Sequence, residues 1–543
     1  MEKQLGWVRR LSSALAAVLL FSLAGCTQSE QDKRFDAAVS AQKAAASALP
    51  SGLGVDYDAP NYIGPPKPDE DSQATPVPGD TLSGTLVIRS YNMKGYSPAV
   101  VWLAKEFMEL HPNVAISCEF GERFDQVQTR QERMAARRGY YNRLRVEIAA
   151  GEADYLLYGI SQDLDYAPLS RNGALADLQE YWENDPDIHE EDYFMPALDA
   201  FLVEGKRPVL PYSFNLAGVY CARPMLEEAG VDPESIALTN AVQLLDWYSQ
   251  VRPQHPDMNL LFTSPRQDSL FTLERPAYID LGGRSAAFDS PAFVDFLARS
   301  RDIGHEDPGL DPEKEAGFGS GMLLEATLRY RDTGEMSAWA DYFDQAGYPQ
   351  DKNTILKARP ALCSMVETLA PFEIVGSRQR SFQYAVPCVL TSSAGQLGIS
   401  CVDETFAMPQ CMENKELAWE FIKYCLRGRE DVTFDRFGHT GQGYYTHMGF
   451  PVNRANYRKI MEDAPNSLAG MGGAGCEYLH FDPVDGADME GYMDGLLAHG
   501  PVDLGKYSID LQDYLDEFYI NGLTSPEQAA GKIQGRAYIW LHE

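Results

Sequence analysis

Basic residues are scarce in this chain. Lysine and arginine number 46 against 79 aspartates and glutamates, a formal net charge of −33 over 543 residues. Nucleic-acid binding needs clustered Lys and Arg to displace phosphate counterions, so that class of partner is excluded. The common catalytic signatures are missing as well. There is no Gly-x-Ser-x-Gly elbow, no phosphate-binding Gly-x-x-x-x-Gly-Lys loop and no His-Glu-x-x-His, because His189-Glu190-Glu191-Asp192 runs on into Tyr193. Carboxylate pairs of the glycosidase type come from distant positions, and that chemistry stays open. The cysteines form no Cys-x-x-Cys pair. Cys388, Cys401 and Cys411 lie close together along the chain, where disulfides and buried free thiols are both open readings. Asp482, Asp485, Asp488 and Glu490 cluster around Gly486, but their spacing misses that of a calcium-binding EF-hand loop and suits a solvated turn. Nothing calls for a cofactor or a metal.

What the chain does have begins with a targeting segment. Lys3, Arg9 and Arg10 precede an apolar run over residues 11–23, too short for a comfortable membrane span. The run ends Leu23-Ala24-Gly25-Cys26, which resembles the bacterial lipobox. That resemblance implies cleavage after residue 25, lipidation of Cys26 and a protein held on the outer face of the cytoplasmic membrane. Residues 27–80 carry Pro50, Pro60, Pro65, Pro66, Pro68, Pro76 and Pro78 among Gly, Asp and Ser. Such a composition cannot bury a core and reads as a disordered tether.

Globular structure is expected from residue 81 onward. Apolar residues make up 44% of the chain and aromatics 11%, enough for large cores, and the length argues for two lobes. Residues 85–90 read as a strand, and Val100, Leu103, Ala104, Phe107 and Leu110 mark one face of a helix ending at His111-Pro112. A strand at 114–120, a long helix at 126–150 and a strand at 155–158 follow. Alternation of this kind predicts a parallel sheet with helices on its faces. The arginines of the long helix read as a solvated face laced with Glu132 and Glu147.

Residues 205–233 organise the remainder. Two short extended runs are expected at 208–212 and 217–222, with Tyr212, Ser213 and Asn215 at the passage between them. A helix then opens near Pro224 and closes at Gly230. Thr239 is the expected cap of a helix over 241–251, and Trp247 on it reads as core. Helices are expected at 291–300, 321–330 and 337–345, and strands at 360–365, 384–390 and 405–409. A capping box, Ser525-Pro526-Glu527-Gln528, opens the last helix.

Four stretches, taken in order, resemble the extracellular solute-binding proteins of ABC importers, a class that includes many sugar-binding lipoproteins. They are Val219-Tyr220 followed by Leu226-Glu227-Glu228-Ala229-Gly230, Asn414-Lys415-Glu416-Leu417-Ala418-Trp419-Glu420-Phe421-Ile422, Gly449-Phe450-Pro451-Val452, and the terminal helix. The chain departs from the family pattern at Cys221–Arg223, where Tyr-Asn-Lys is usual. The resemblance implies an α/β, two-lobed periplasmic-binding-protein-like fold with a hinge and an interlobe cleft. On that reading residues 81–213 plus 398–450 form one lobe and 214–397 plus 451–543 the other. It also implies a monomer that binds a small solute, most naturally a sugar or oligosaccharide, delivers it to ABC permease subunits, and performs no covalent chemistry. Ligands in open α/β sheets collect beyond the carboxyl ends of strands. That rule selects Tyr91, Asn92, Tyr158, Tyr212, Asn215, Glu367 and Tyr444 as ligand-binding candidates. The alternatives are a surface lipoprotein enzyme acting on glycans and a sensing or adhesion module on the same fold.

Overall fold

A computed structural model of the chain describes residues 79–91, 99–120, 130–160, 164–261, 267–303, 320–334, 361–364, 366–400, 404–429, 432–434, 445–447, 449–470 and 481–542. Cys26, the expected tether up to residue 78, Asn92, Tyr444, Cys401 and the expected helix at 337–345 lie outside them, whereas Asp80 at the tether's end is described and pairs with His111 at 3.0 Å.

Two sheets carry the architecture. The first contains β1 (Gly84–Ser90), β2 (Val114–Phe120), β3 (Leu156–Tyr158), β4 (Leu210–Pro211) and β14 (Thr405–Ala407), in the order β2-β1-β3-β14-β4. The β1 pairings with β2 and β3 are parallel, and β14 runs antiparallel to β3 and β4. Pro211 has no N–H to give, and it sits on the edge strand, where that lack costs least. The helix Ala99–Leu110 connects β1 to β2, and the helix Arg130–Ala149 connects β2 to β3. Arg89 reaches from β1 to Glu119 at 2.9 Å and to Glu147 of the second helix at 2.7 Å, with its guanidinium 3.9 Å from the Tyr155 ring. Glu147 therefore turns inward to the sheet instead of lacing an outer face.

The second sheet is built on β5 (Ser213–Ala222), ten residues long and buried at every position. Coverage on both faces explains its apolar run without alternation. Its antiparallel partners are β10 (Ala361–Cys363), β11 (Glu367–Leu369), β12 (Ala385–Thr391), β13 (Gly398–Ser400) and β17 (Phe450–Pro451). Beyond these lie β6 (Leu238–Asn240) against β12, β7 (Asn259–Leu261) against β10, and β18 (Val502–Asp503) against β13. Two small pairs, β8 (Ile279–Asp280) with β9 (Ser285–Ala286) and β15 (Val432–Phe434) with β16 (Tyr445–His447), stand apart. Gly218 on β5 admits close approach of β11, since a Cβ there would come within 2.4 Å of the Leu369 side chain.

Among the described residues the chain passes between the sheets three times: from β4 to β5 at Tyr212, from β13 to β14 between Ser400 and Glu404, and from β14, by way of the small pair β15–β16, back to β5 through β17. Ser213 and Asn215 belong to strand β5 and not to a loop, because β17 and β13 extend the ladder as far as residue 213. Asn240, and not Thr239, caps the helix Ala241–Val251, its side chain accepting from the Gln243 N–H at 2.9 Å. Trp247 is partly buried and packs against the core that contains Leu244, Leu245 and Tyr248. The capping box at Ser525 forms reciprocally, at 3.0 Å and 3.3 Å.

Asp485 caps the helix Gly486–Leu497, and Glu490 pairs with Arg454 and Arg458. Among the described residues no cluster of His, Cys, Asp and Glu could hold a metal ion, and the six described cysteines are free thiols. Among those residues no helix is long and apolar enough to cross a membrane.

Candidate functional site

The carboxyl end of β3 meets the first crossing in a group of aromatic rings. Tyr158 closes β3, and Tyr212 stands between β4 and β5. Their rings stack at 6.2 Å, and Tyr212 stacks on Phe406 of β14 at 5.6 Å. The two phenol oxygens are 2.7 Å apart. Both residues are buried, at 4% and 1% exposure, so they form the inner wall of the junction.

Backbone and carboxylate contacts lock the same place. The Tyr212 N–H donates to the Glu404 carbonyl at 3.0 Å, and the Tyr212 carbonyl accepts from Val452 at 3.0 Å. One residue thus joins all three crossings. The Ser213 hydroxyl donates to the buried Glu404 carboxylate. Thr405 receives Gly159 on its carbonyl at 2.9 Å and Ile160 on its hydroxyl at 2.8 Å, tying the end of β3 to the second crossing. Asn215 lies opposite Ser400 in the ladder and is buried. Gly449 approaches so closely that a Cβ there would stand 2.7 Å from the Phe214 carbonyl oxygen and 3.0 Å from Asn215 Oδ1.

Tyr91 follows β1, half-buried, with its ring 5.3 Å from Tyr140 and 6.1 Å from Tyr141. The Tyr141 hydroxyl donates to the Gly159 carbonyl at 2.8 Å. The Tyr140 hydroxyl is buried with no hydrogen-bond partner among the described residues. Burial holds this phenol well above its ordinary pKa, so it stays protonated and remains a donor.

The structure therefore brings Tyr158, Tyr212 and Asn215 to the junction and sets Tyr91 at a neighbouring strand end. Glu367 lies on β11, its backbone opposite Gly218. Asn92 and Tyr444 are outside the described residues. Glu404, Thr405, Tyr140 and Tyr141 escaped the sequence reading. Two signals were available: a Tyr-Tyr pair inside an arginine-rich helix, and an acidic residue directly before a buried strand. Chemically, phenols, an amide, hydroxyls and one carboxylate beside stacked rings suit hydrogen bonding and ring stacking with a neutral polar molecule.

No protein-family model matches the sequence, and no curated protein matches it. Several solved structures are similar in chain course. An extracellular solute-binding protein of family 1 from Alicyclobacillus acidocaldarius is 15% identical, with 86% of this chain and 100% of that chain covered and a TM-score of 0.42. The sugar-binding protein MalE from Xanthomonas citri is 13% identical over 84% and 97%, with a TM-score of 0.47. A designed esterase is 14% identical over 85% and 99%, with a TM-score of 0.46. Likeness at this level assigns no ligand, partner or residue role to this chain.

Proposed function

We propose that this chain is a lipid-anchored extracellular solute-binding protein that delivers a small solute, a sugar or oligosaccharide, to the permease of an ABC importer. The observation that carries the proposal is the triple crossing between two α/β sheets, with strand ends, stacked phenols and buried polar groups gathered where the crossings meet. Crossings confined to a narrow junction allow two lobes to turn about it, and a solute held between them shifts the balance toward closure. The division into lobes at 81–213 plus 398–450 and 214–397 plus 451–543 belongs to this proposal, with strand β13 on the side of the second sheet. So do Cys26 as the lipidation site and Tyr91, Asn92, Tyr158, Tyr212, Asn215, Glu367 and Tyr444 as the solute-binding set. The four sequence stretches shared with solute-binding proteins of importers support the same reading.

Thermal unfolding against a panel of sugars, oligosaccharides, peptides and polyamines tests it. A solute at a hundredfold its dissociation constant stabilises the folded state by about 2.7 kcal/mol, which moves the unfolding midpoint visibly. A sugar or oligosaccharide that raises the midpoint and is recovered unchanged is the expected result. Conversion of that sugar to product would replace the proposal with a glycan-acting enzyme.

A further inference from the structure

Away from the three crossings, the two halves touch along a second line of contacts. On the side of the first sheet it comprises Asp165, the helix Tyr166–Arg171 and residues 200–204. On the side of the second sheet it comprises Arg284, Asp503, Lys506 and Trp540. The Tyr166 hydroxyl donates to Asp503 Oδ2 at 2.6 Å. Lys506 Nζ donates to the carbonyl oxygens of Ala200 at 2.7 Å and Leu202 at 3.0 Å. Trp540 Nε1 donates to Asp165 at 3.1 Å, the Arg171 guanidinium lies 5.5 Å from the Trp540 ring, and Arg284 pairs with Glu204 at 3.3 Å.

Two features set this seam apart from ordinary packing. The first is backbone conformation. Four described residues other than glycine have positive φ, and three of them are here: Asp165 at 51°, Glu204 at 51° and Arg284 at 49°. Left-handed backbone at residues with a Cβ is unfavourable and persists only where its surroundings hold it. The second is the distribution of charge. Asp503 and Lys506, both buried, come from the same half and are three residues apart. Among the described residues the groups of the opposite half that bond to them are neutral, a phenol and two carbonyls. Burial disfavours both charges, raising the Asp503 pKa and lowering that of Lys506. Desolvation and hydrogen bonding therefore oppose one another across the seam. If the halves part, Asp503 and Lys506 remain on the same half and regain water together, and of the charges in the seam only the partly exposed Arg284–Glu204 pair is divided.

We infer that Tyr166, Asp503 and Lys506 form a reversible clasp that holds the two halves in the arrangement described and sets how readily they separate. The inference rests on the hinged reading of the fold. Its test needs no solute, so it can fail while solute binding stands, and the reverse. Small-angle X-ray scattering and amide hydrogen exchange are measured on the full chain, on Tyr166→Phe and on Lys506→Met. Tyr248→Phe is the control, since it removes a hydroxyl bonded at 3.0 Å to the Met258 carbonyl entirely within the second half. The expected result is a larger radius of gyration for both clasp variants, with exchange at residues 200–206 and 502–507 faster by about tenfold, as for loss of one hydrogen bond to a charged group. The control should match the parent in both readouts. Unchanged scattering and exchange in Tyr166→Phe would overturn the clasp, and so would an equal increase in Tyr248→Phe. Because Tyr166→Phe keeps the ring in place, it decides the matter even if Lys506→Met fails to fold.

Discussion

The hydroxyls of Tyr158 and Tyr212 meet at 2.7 Å, joining the last residue of a strand in one sheet to the residue at which the chain leaves for the other. Because both rings are buried, neither phenol can exchange its partner for bulk water while the junction is intact. Replacing either Tyr by Phe removes one hydrogen bond, at a cost of about 0.5–1.5 kcal/mol. The double variant should cost less than the sum, since the bond between the two hydroxyls is already lost in either single variant. Urea denaturation of the four proteins measures this coupling, and strict additivity would show that the two hydroxyls do not interact. Tyr212→Ala is a poorer probe of solute binding, because the cavity alone should cost about 3–5 kcal/mol. Tyr212→Phe with Asn215→Ala is the better pair, expected to abolish binding in calorimetry on a protein that still unfolds cooperatively.

Glu404 fixes the second crossing through its carbonyl to Tyr212 and its carboxylate to Ser213. Glu404→Ala would leave the buried Ser213 hydroxyl without that acceptor, costing about 1–3 kcal/mol. Glu404→Gln keeps an acceptor oxygen and should lose less. Thermal midpoints of the two variants decide it; an equal loss would mean the carboxylate contributes no more than its volume.

Gly449 makes a different demand, one of space. An added methyl group would press on the Phe214 carbonyl, a backbone atom that cannot swing aside as a side chain can. Gly449→Ala is expected to destabilise by about 1–3 kcal/mol through overpacking. Gly151→Ala should also cost stability, but for its left-handed φ of 72°, as no neighbouring atom stands within 4 Å of its added Cβ. Side-chain repacking around Phe214 should therefore rescue neither variant, which thermal midpoints measured against the parent would check.

Buried carboxylates give the stability a recognisable pH dependence. Burial raises the pKa of Glu274 and Glu325 above the ordinary 4.5, although each accepts backbone N–H bonds that partly counter it. Glu325 receives the N–H groups of Gln383, Tyr384 and Ala385 where β12 begins. A folded-state pKa above the unfolded value means that the folded protein holds the proton more tightly. The contribution of such a group is fully present below 4.5 and is lost as pH rises through the raised value. Glu325→Gln, which cannot ionise, should flatten the stability profile in that window. Chemical denaturation across mildly acidic pH would show it; parallel profiles for parent and variant would count against a raised Glu325.

Much of the fold was legible in the chain. The strand at 114–120 and the helix at 241–251 appear over the residues expected, because apolar spacing and Gly or Pro punctuation are local signals. The limits of β5 were not legible. Its first residues, Ser213, Phe214 and Asn215, join the ladder because β17 and β13 arrive from far along the chain, and no local pattern announces such partners. Of the site, Tyr158 and Tyr212 could be chosen by strand-end position, whereas Glu404 could not, since its importance comes from Ser213, nearly two hundred residues away in sequence.

By itself the sequence determined the acidic surface, the basic, apolar and Cys26 segments at the start, the alternation of strand and helix, and the proline that places Leu210-Pro211 on an edge. Those follow from composition and from spacing over a few residues. Only the tertiary structure decided that three separate passages of chain converge on Tyr212, and that Asp503 and Lys506 face neutral groups across a seam. The physical reason is that hydrogen-bond partners and desolvation are properties of what surrounds a residue, and most of those surroundings are set by residues remote along the chain.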